Sequence, residues 1–204
     1  MNRIVFIDVA KAICIILVVI GHFFPDGSPE WYIALHDIIY TFHMPLFMFV
    51  SGYVYIATKR QITYGAFISK KIKRLMVPYI VTSVIVITIK ILTQGGLNVE
   101  HPVTALSYLR IFYLPEAGYF LWFIWALWWM FILIPLFDTH KKRLILFFFS
   151  IALHCTPLSF PHVFCLYELK RMFIYFMLGI VCFEQEWLRN VVCSLRPAKR
   201  RYLL

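Results

Sequence analysis

Charge is scarce in this chain of 204 residues: Asp, Glu, Lys and Arg together make up 15%, and only 10 residues are acidic. Soluble domains carry about 25% charged residues. The 62% apolar content is more than a chain of this length can enclose in a water-exposed fold. A soluble enzyme, a disordered protein and a disulfide-stapled secreted domain are thereby excluded. The five cysteines (Cys14, Cys155, Cys165, Cys182, Cys193) include no CxxC pair and no alternation with His at ligand spacing. They read as apolar filler, and no metal is expected. A cleavable signal is not expected either, since Asp8 and Lys11 interrupt the first apolar run and no A-x-A site follows. No internal repeat recurs at fixed spacing, which weakens an inverted-repeat transporter reading.

What the chain does have is six long hydrophobic stretches. A spanning helix needs about 20 mostly apolar residues, and spans are expected at 4–24, within 31–57, and at 75–93, 119–137, 144–160 and 172–188. Within the second, WYIALHDIIY reads as an interfacial piece and TFHMPLFMFVSGYVYIA as the crossing. The third opens with Pro78 near its first turn, and 94–117 is a mixed stretch holding Pro102 and Pro115. The expected fold is all-α: a polytopic transmembrane helix bundle of about six spans, forming one integral-membrane domain over residues 1–204.

Basic residues set the orientation. Lys59, Arg60, Lys70, Lys71, Lys73 and Arg74 follow the second span; Lys141, Lys142 and Arg143 follow the fourth. The tail adds Arg189, Arg196, Lys199, Arg200 and Arg201. The loop after the first span has none and the loop after the third has only Arg110, with Lys170 and Arg171 the exception. Loops retained in the cytoplasm collect Lys and Arg, so both termini are expected in the cytoplasm of a multi-pass protein of the cell inner (plasma) membrane. The net charge of +10 is then a matter of topology, the partner is the lipid bilayer, and no nucleic acid is expected.

The first span holds Asp8, Lys11 and His22. At about 100° per residue, Lys11 lies about 300° from Asp8, and His22 about 20° beyond whole turns from Lys11, so the three share one face. A charge at mid-membrane costs about 2.5–3.5 kcal/mol even on the mild insertion scale, and such residues usually face the bundle interior and work. The alternative puts Asp8 and Lys11 near the cytoplasmic rim, paired at i,i+3, with His22 at the far interface. Lys11 and His22 are about 16 Å apart along the axis. They cannot touch but can line one passage, with a neutral imidazole as general base.

Other residues carry weaker signals. His36 and His43 lie seven apart on similar faces, as substrate contacts or as hydrogen-bonded bundle histidines. Ser51 and Gly52 read as a close helix contact. The Trp/Phe stripe of the fourth span reads as an interface belt or lipid-facing surface before a sugar platform. His101, His140, His154 and His162 have no partners at metal spacing, and Glu184 and Glu186 sit near a helix end, a proton relay being the alternative.

The segments RIVFIDVAKAICIILVVIGH and FHMPLFMFVSGY resemble the opening of the membrane-bound acyltransferase family 3, which includes bacterial sugar O-acetyltransferases of the fucose O-acetylase type. Lys11 and His22 match the family's basic-x10-His motif, TFHMPLFMFVSGY its second-span motif, and FISKKIKRLMVPY its R-x-x-R-like stretch, with Lys71 and Arg74 at the two basic positions. GYFLWFIWAL is similar to the family's aromatic span, with Trp122 at its recurrent tryptophan.

The resemblance implies acetyl transfer from acetyl-CoA, as co-substrate, to a hydroxyl of a cell-envelope or exported carbohydrate. His22 would be the base or acyl carrier, with Lys11 and Asp8 beside it in the catalytic set. Lys71 and Arg74 would hold the CoA phosphates, and His43 and Trp122 the substrate. Lys stands at positions 11 and 71 where the family often has Arg, and Lys lacks bidentate phosphate geometry. Family members usually have about ten spans, so the chain corresponds to the N-terminal two-thirds of one. Completion by a homo-oligomer or by a missing C-terminal half stands beside two rivals: a truncated, catalytically silent membrane protein and a small proton-coupled transporter.

Overall fold

The computed structural model describes residues 5–23, 27–59, 61–96 and 102–185. Among them every regular element is helical. Six helices carry the architecture: α1 (Val5–His22), α2 (Glu30–Ala57), α3 (Tyr64–Thr93), α4 (Trp122–Leu133), α5 (His140–Cys155) and α6 (Leu166–Glu184). Each overlaps one of the six expected stretches. Two of them, α2 and α3, are long and apolar enough to cross a bilayer, and shorter apolar stretches run over Ala12–Gly21 and Trp122–Leu136.

The helix limits differ from expectation for local reasons. WYIALHDIIY is not a separate interfacial piece, because α2 continues through it as one helix of 28 residues with Pro45 inside. Membrane helices tolerate such a proline where neighbours satisfy the freed carbonyl. α3 starts eleven residues before position 75 and contains a π-helical turn, Ile72–Met76. Pro78 does sit in the first turn of the α-helical stretch Val77–Thr93. Its ring crowds the carbonyl four residues back, at Arg74, and the wider turn just before it relieves that clash. α5 starts at His140, where the Thr139 hydroxyl accepts from the Lys142 N–H. It stops at Cys155, just before extended Thr156 and Pro157. α6 begins six residues before position 172, so Lys170 and Arg171 are helical. Leu188, Glu186 and the basic tail lie outside the described residues.

Ring and ion contacts fix the directions of the helices. Lys71 reaches Phe131 while Tyr79 meets Trp125, so α3 and α4 are antiparallel. Phe47 meets Phe123 and Tyr55 meets Phe131, so α2 and α4 are parallel. Arg143 pairs with Glu184 and His154 bonds the Arg171 carbonyl, so α5 and α6 are antiparallel. The result is a bundle with one basic end, where Lys71, Arg74 and Arg143 lie, and an opposite end where α3 finishes and α6 starts.

α2 and α6 cross at bare backbone. A Cβ at Gly52 would overlap the Phe176 carbonyl, and one at Gly179 would overlap the Phe49 carbonyl. Only glycine permits that approach, as the Ser51–Gly52 reading expects. Around the crossing, Met48, Phe176, Met177 and Ile180 are fully buried. α4 corrects its expectation: Trp122, Trp125, Leu127, Met130 and Phe131 are buried in the core. Its sequence WFIWALWWMFIL is apolar on every side, as a central helix must be. The outer surface is also apolar: Val9, Ile13 and Ile16 on α1, Val81, Ile85 and Ile89 on α3, and Phe148 and Phe149 on α5 are exposed. Three cysteines, Cys14, Cys165 and Cys182, are buried as apolar filler, whereas Cys155 is exposed at the end of α5.

Candidate functional site

α1 places Asp8, Lys11 and His22 on one continuous helix; their side chains lie outside the described part of the structure. The interval between Lys11 and His22 is described. Ile15, Val18 and Val19 line a cavity of about 210 Å³ with Met44 and Phe47 of α2 and Phe123 of α4. Its wall is almost wholly apolar. Met44 and Phe47 belong to the FHMPLF segment, and Phe123 follows Trp122 in sequence. Three of the motifs singled out in the sequence therefore converge on one cavity.

Next to His22 along the chain, Gly21 packs on α2, where a Cβ would meet Ile39 and Tyr40 at 3.3 and 3.4 Å. The Tyr40 ring lies between two imidazoles, 4.4 Å from His36 and 4.9 Å from His43. His43 is 2% exposed. Its Nδ1 is 2.8 Å from the Ile39 carbonyl oxygen. A carbonyl only accepts, so Nδ1 carries the proton and a neutral His43 keeps its lone pair on Nε2. His36 instead contacts Asp37, at 3.3 Å. Of the expected substrate contacts, His43 and Trp122 are both buried, and His43 stacks on Tyr40, the residue against which Gly21 of α1 packs.

At the basic end, Lys71 and Arg74 lie on either side of the start of the π turn. Arg74 is exposed. Lys71 is turned inward, its ammonium 3.3 Å from the Phe131 ring centroid and 5.4 Å from Phe67, a cation–π seat. Close by, Arg143 is buried and donates through Nε to Glu184 at 2.6 Å, and through Nη1 to the Phe137 and Asp138 carbonyls at 3.0 and 2.6 Å. His140 Nδ1 meets the other Glu184 oxygen at 2.7 Å. Both Glu184 oxygens are thus committed to tying α5 to α6, which gives this carboxylate a structural role in place of a relay. The exposed Asp138 is held below the usual carboxylate range by its hydrogen bond to Lys142 at 2.9 Å and by that ammonium's charge.

The opposite end holds polar residues that the sequence did not single out. Segment 102–118, with a single helical turn at Ser107–Arg110, lies against α3. Gln94 donates to the Val103 carbonyl and accepts from its N–H, at 3.0 and 3.1 Å. Thr88 and Tyr108 share a hydrogen bond of 2.7 Å. The buried Tyr79 hydroxyl reaches the Ile111 and Leu114 carbonyls at 2.7 and 3.1 Å. From Gln94 to Tyr79 is fifteen residues, so the segment follows α3 for about 22 Å. Glu116 accepts from Ser107 at 3.1 Å and from Arg110 at 3.2 Å.

Beside that segment, Phe164 and Cys165 both have positive φ, 55° and 53°. For side chains with a Cβ this conformation is strained. Neighbours hold it: the Phe164 N–H donates to Tyr113 at 2.7 Å, and Trp129 Nε1 donates to the Phe164 carbonyl at 3.1 Å. His162 pairs with the buried Glu168 at 3.0 Å, and buried Lys170 donates to the Thr156 and Leu158 carbonyls. His140 and His162, which have no metal-type spacing in sequence, thus both meet carboxylates. His154 sits in α5 and His101 is outside the described residues.

With cavity and motifs in place, comparison with known proteins assigns the family. The profile of the acyltransferase domain of acyltransferase family 3 matches residues 4–191. The chain belongs to that family. It is similar to the nodulation protein NolL of Mesorhizobium japonicum, 28% identical over 211 residues that cover 95% of this chain and 54% of that protein. It is also similar to the nodulation protein NolL of Sinorhizobium fredii, 31% identical over 143 residues that cover 67% of this chain and 37% of that protein. The chain therefore spans about half or less of these relatives' lengths. No solved structure matches it.

Proposed function

We propose that this family member is an integral-membrane O-acyltransferase that moves an acetyl group from acetyl-CoA to a hydroxyl of a cell-envelope or exported carbohydrate. Its six helices would cross the inner membrane with both termini in the cytoplasm, and the apolar outer surface would face lipid. The observation that carries the proposal is the cavity between the levels of Lys11 and His22, walled by the FHMPLF segment and by the aromatic helix. The acetyl thioester group is apolar enough to enter such a passage, whereas the CoA nucleotide with its charged phosphates is not.

The nucleotide would stay at the basic end. Exposed Lys73 and Arg74 suit phosphate as point charge and bidentate fork respectively. Lys71, seated on Phe131, would contribute charge at the mouth. At the far end His22 would take the proton of the acceptor hydroxyl as its oxygen attacks the acetyl carbonyl. The new C–O bond forms, the C–S bond breaks, and the proton leaves with the CoA thiolate. Lys11 would stabilise negative charge on the donor, with Asp8 orienting it. The His36–Tyr40–His43 stack, one residue from His22 along the packed helices, would steady the acceptor.

Labelled acetyl-CoA supplied to membranes containing the chain tests this. Label should appear in surface polysaccharide with the wild type, and it should be lost when Val18→Trp fills the cavity while acetyl-CoA still binds. Absence of transfer by the wild type would favour a catalytically silent membrane protein, and unimpaired transfer by Val18→Trp would remove the cavity from the route.

A further inference from the structure

A second cavity, of about 350 Å³, opens at the end of the bundle remote from Lys71 and Arg74, between the last turns of α3 and segment 102–118. Its lining differs in kind from the first. Lys90 and Glu116 present charge, while Pro102, Val103, Leu114 and Pro115 present flat apolar surface. We propose that this pocket is the binding subsite for one sugar ring of the carbohydrate acceptor, an assignment that rests on the acyltransferase reading above.

Three observations support it. The pocket is preorganised, because segment 102–118 is fixed to α3 by Gln94, Thr88 and Tyr79 and to the strained turn through the Phe164–Tyr113 hydrogen bond. Rigid walls spare a ligand the ordering of a loop. The polar groups are of opposite sign and partly neutralised: Glu116 is engaged by Arg110 and Ser107 and remains 21% exposed. Such a pair suits a neutral polyol, whose hydroxyls both donate and accept, better than a multiply charged ligand. Finally, a sugar ring has apolar C–H faces and a hydroxyl rim, which matches proline and leucine walls with a carboxylate and an ammonium at the edge. The volume lies at the small end of the range for small-molecule sites.

Lys90 is three residues from the end of α3, where a lysine could simply reach for the interface. The test must therefore separate a ligand contact from a snorkelling side chain. Saturation-transfer NMR on the full chain in nanodiscs, with a panel of methyl glycosides of neutral hexoses and 6-deoxyhexoses, reads binding without needing turnover. At least one glycoside should bind the wild type and His22→Ala alike. Its affinity should fall tenfold or more in Glu116→Gln and in Lys90→Met, with Lys90→Arg retaining most of it. In transfer assays the same variants should raise the acceptor KM tenfold while changing kcat less than about twofold. Binding without transfer would leave the pocket standing and remove the acyltransferase reading. Transfer with unchanged acceptor KM in both variants, or no glycoside bound, would overturn the pocket.

Discussion

At the basic end of the bundle, side chains pair chiefly with side chains: Arg143 and His140 share Glu184, and Lys142 holds Asp138. At the opposite end, beside the Arg110–Glu116 and His162–Glu168 pairs, side chains from the helices also hydrogen-bond to the backbone of non-helical chain. Tyr79 reaches Ile111 and Leu114, Gln94 brackets Val103, Trp129 holds Phe164, and Lys170 caps Thr156 and Leu158. The difference follows from what each end must stabilise. Helices at the basic end need only their termini tied together, and a buried ion pair with its lone pairs satisfied does this. The opposite end contains non-helical chain packed against apolar helices, whose carbonyls have no internal partner. Buried backbone of this kind is stable only where protein groups satisfy it.

The largest expected effect breaks the basic end. Arg143→Met leaves the half-buried Glu184 carboxylate with His140 as its remaining cross-helix partner and should lower stability by about 3 kcal/mol, read as the unfolding midpoint in mild detergent. Adding Glu184→Leu should recover a large part of that loss, because both charges are then gone; no recovery would mean that Arg143 acts through the Phe137 and Asp138 carbonyls instead. A smaller effect breaks the other end. Tyr79→Phe removes the donor to two buried carbonyls and should cost about 1–3 kcal/mol, with protease cleavage within 102–118 rising before the helices are cut. Equal sensitivity throughout the chain would contradict a locally pinned segment. Least of all, Asp138→Asn should leave the midpoint at neutral pH nearly unchanged, since that pair is exposed. Its carboxyl is depressed in the folded state, so whatever it contributes is complete above the ordinary carboxylate pKa. That contribution is lost as the pH falls through the lowered folded value, and the asparagine variant should lack that part of the acid transition.

This contrast also explains what could be read from sequence. Apolar run length located all six helices, because burying backbone in an apolar setting requires helical hydrogen bonding. The Lys11, FHMPLF and Trp122 segments were legible as motifs, and the structure brings their neighbours Ile15, Met44, Phe47 and Phe123 to one cavity. Helix starts were less legible, as α3 shows, since the polar first turns of Tyr64–Lys71 carry no apolar signal. Least legible were Tyr79, Gln94 and Glu116. Their partners are backbone atoms or side chains 6 to 35 residues away, and a tyrosine in an apolar run gives no sign of the carbonyl it will meet. Arg143 and Glu184, 41 residues apart, were visible as charges near helix ends but not as a pair.

His22→Ala bears most directly on the central claim that a passage along α1 delivers an acetyl group to an imidazole. With labelled acetyl-CoA confined to the basic side of sealed vesicles and carbohydrate acceptor on the other, the wild type should transfer label across. His22→Ala should do so on the order of 10²–10⁴-fold more slowly while binding acetyl-CoA as tightly. Transfer at the wild-type rate by the alanine variant, or label appearing only on acceptor at the basic side, would contradict the account.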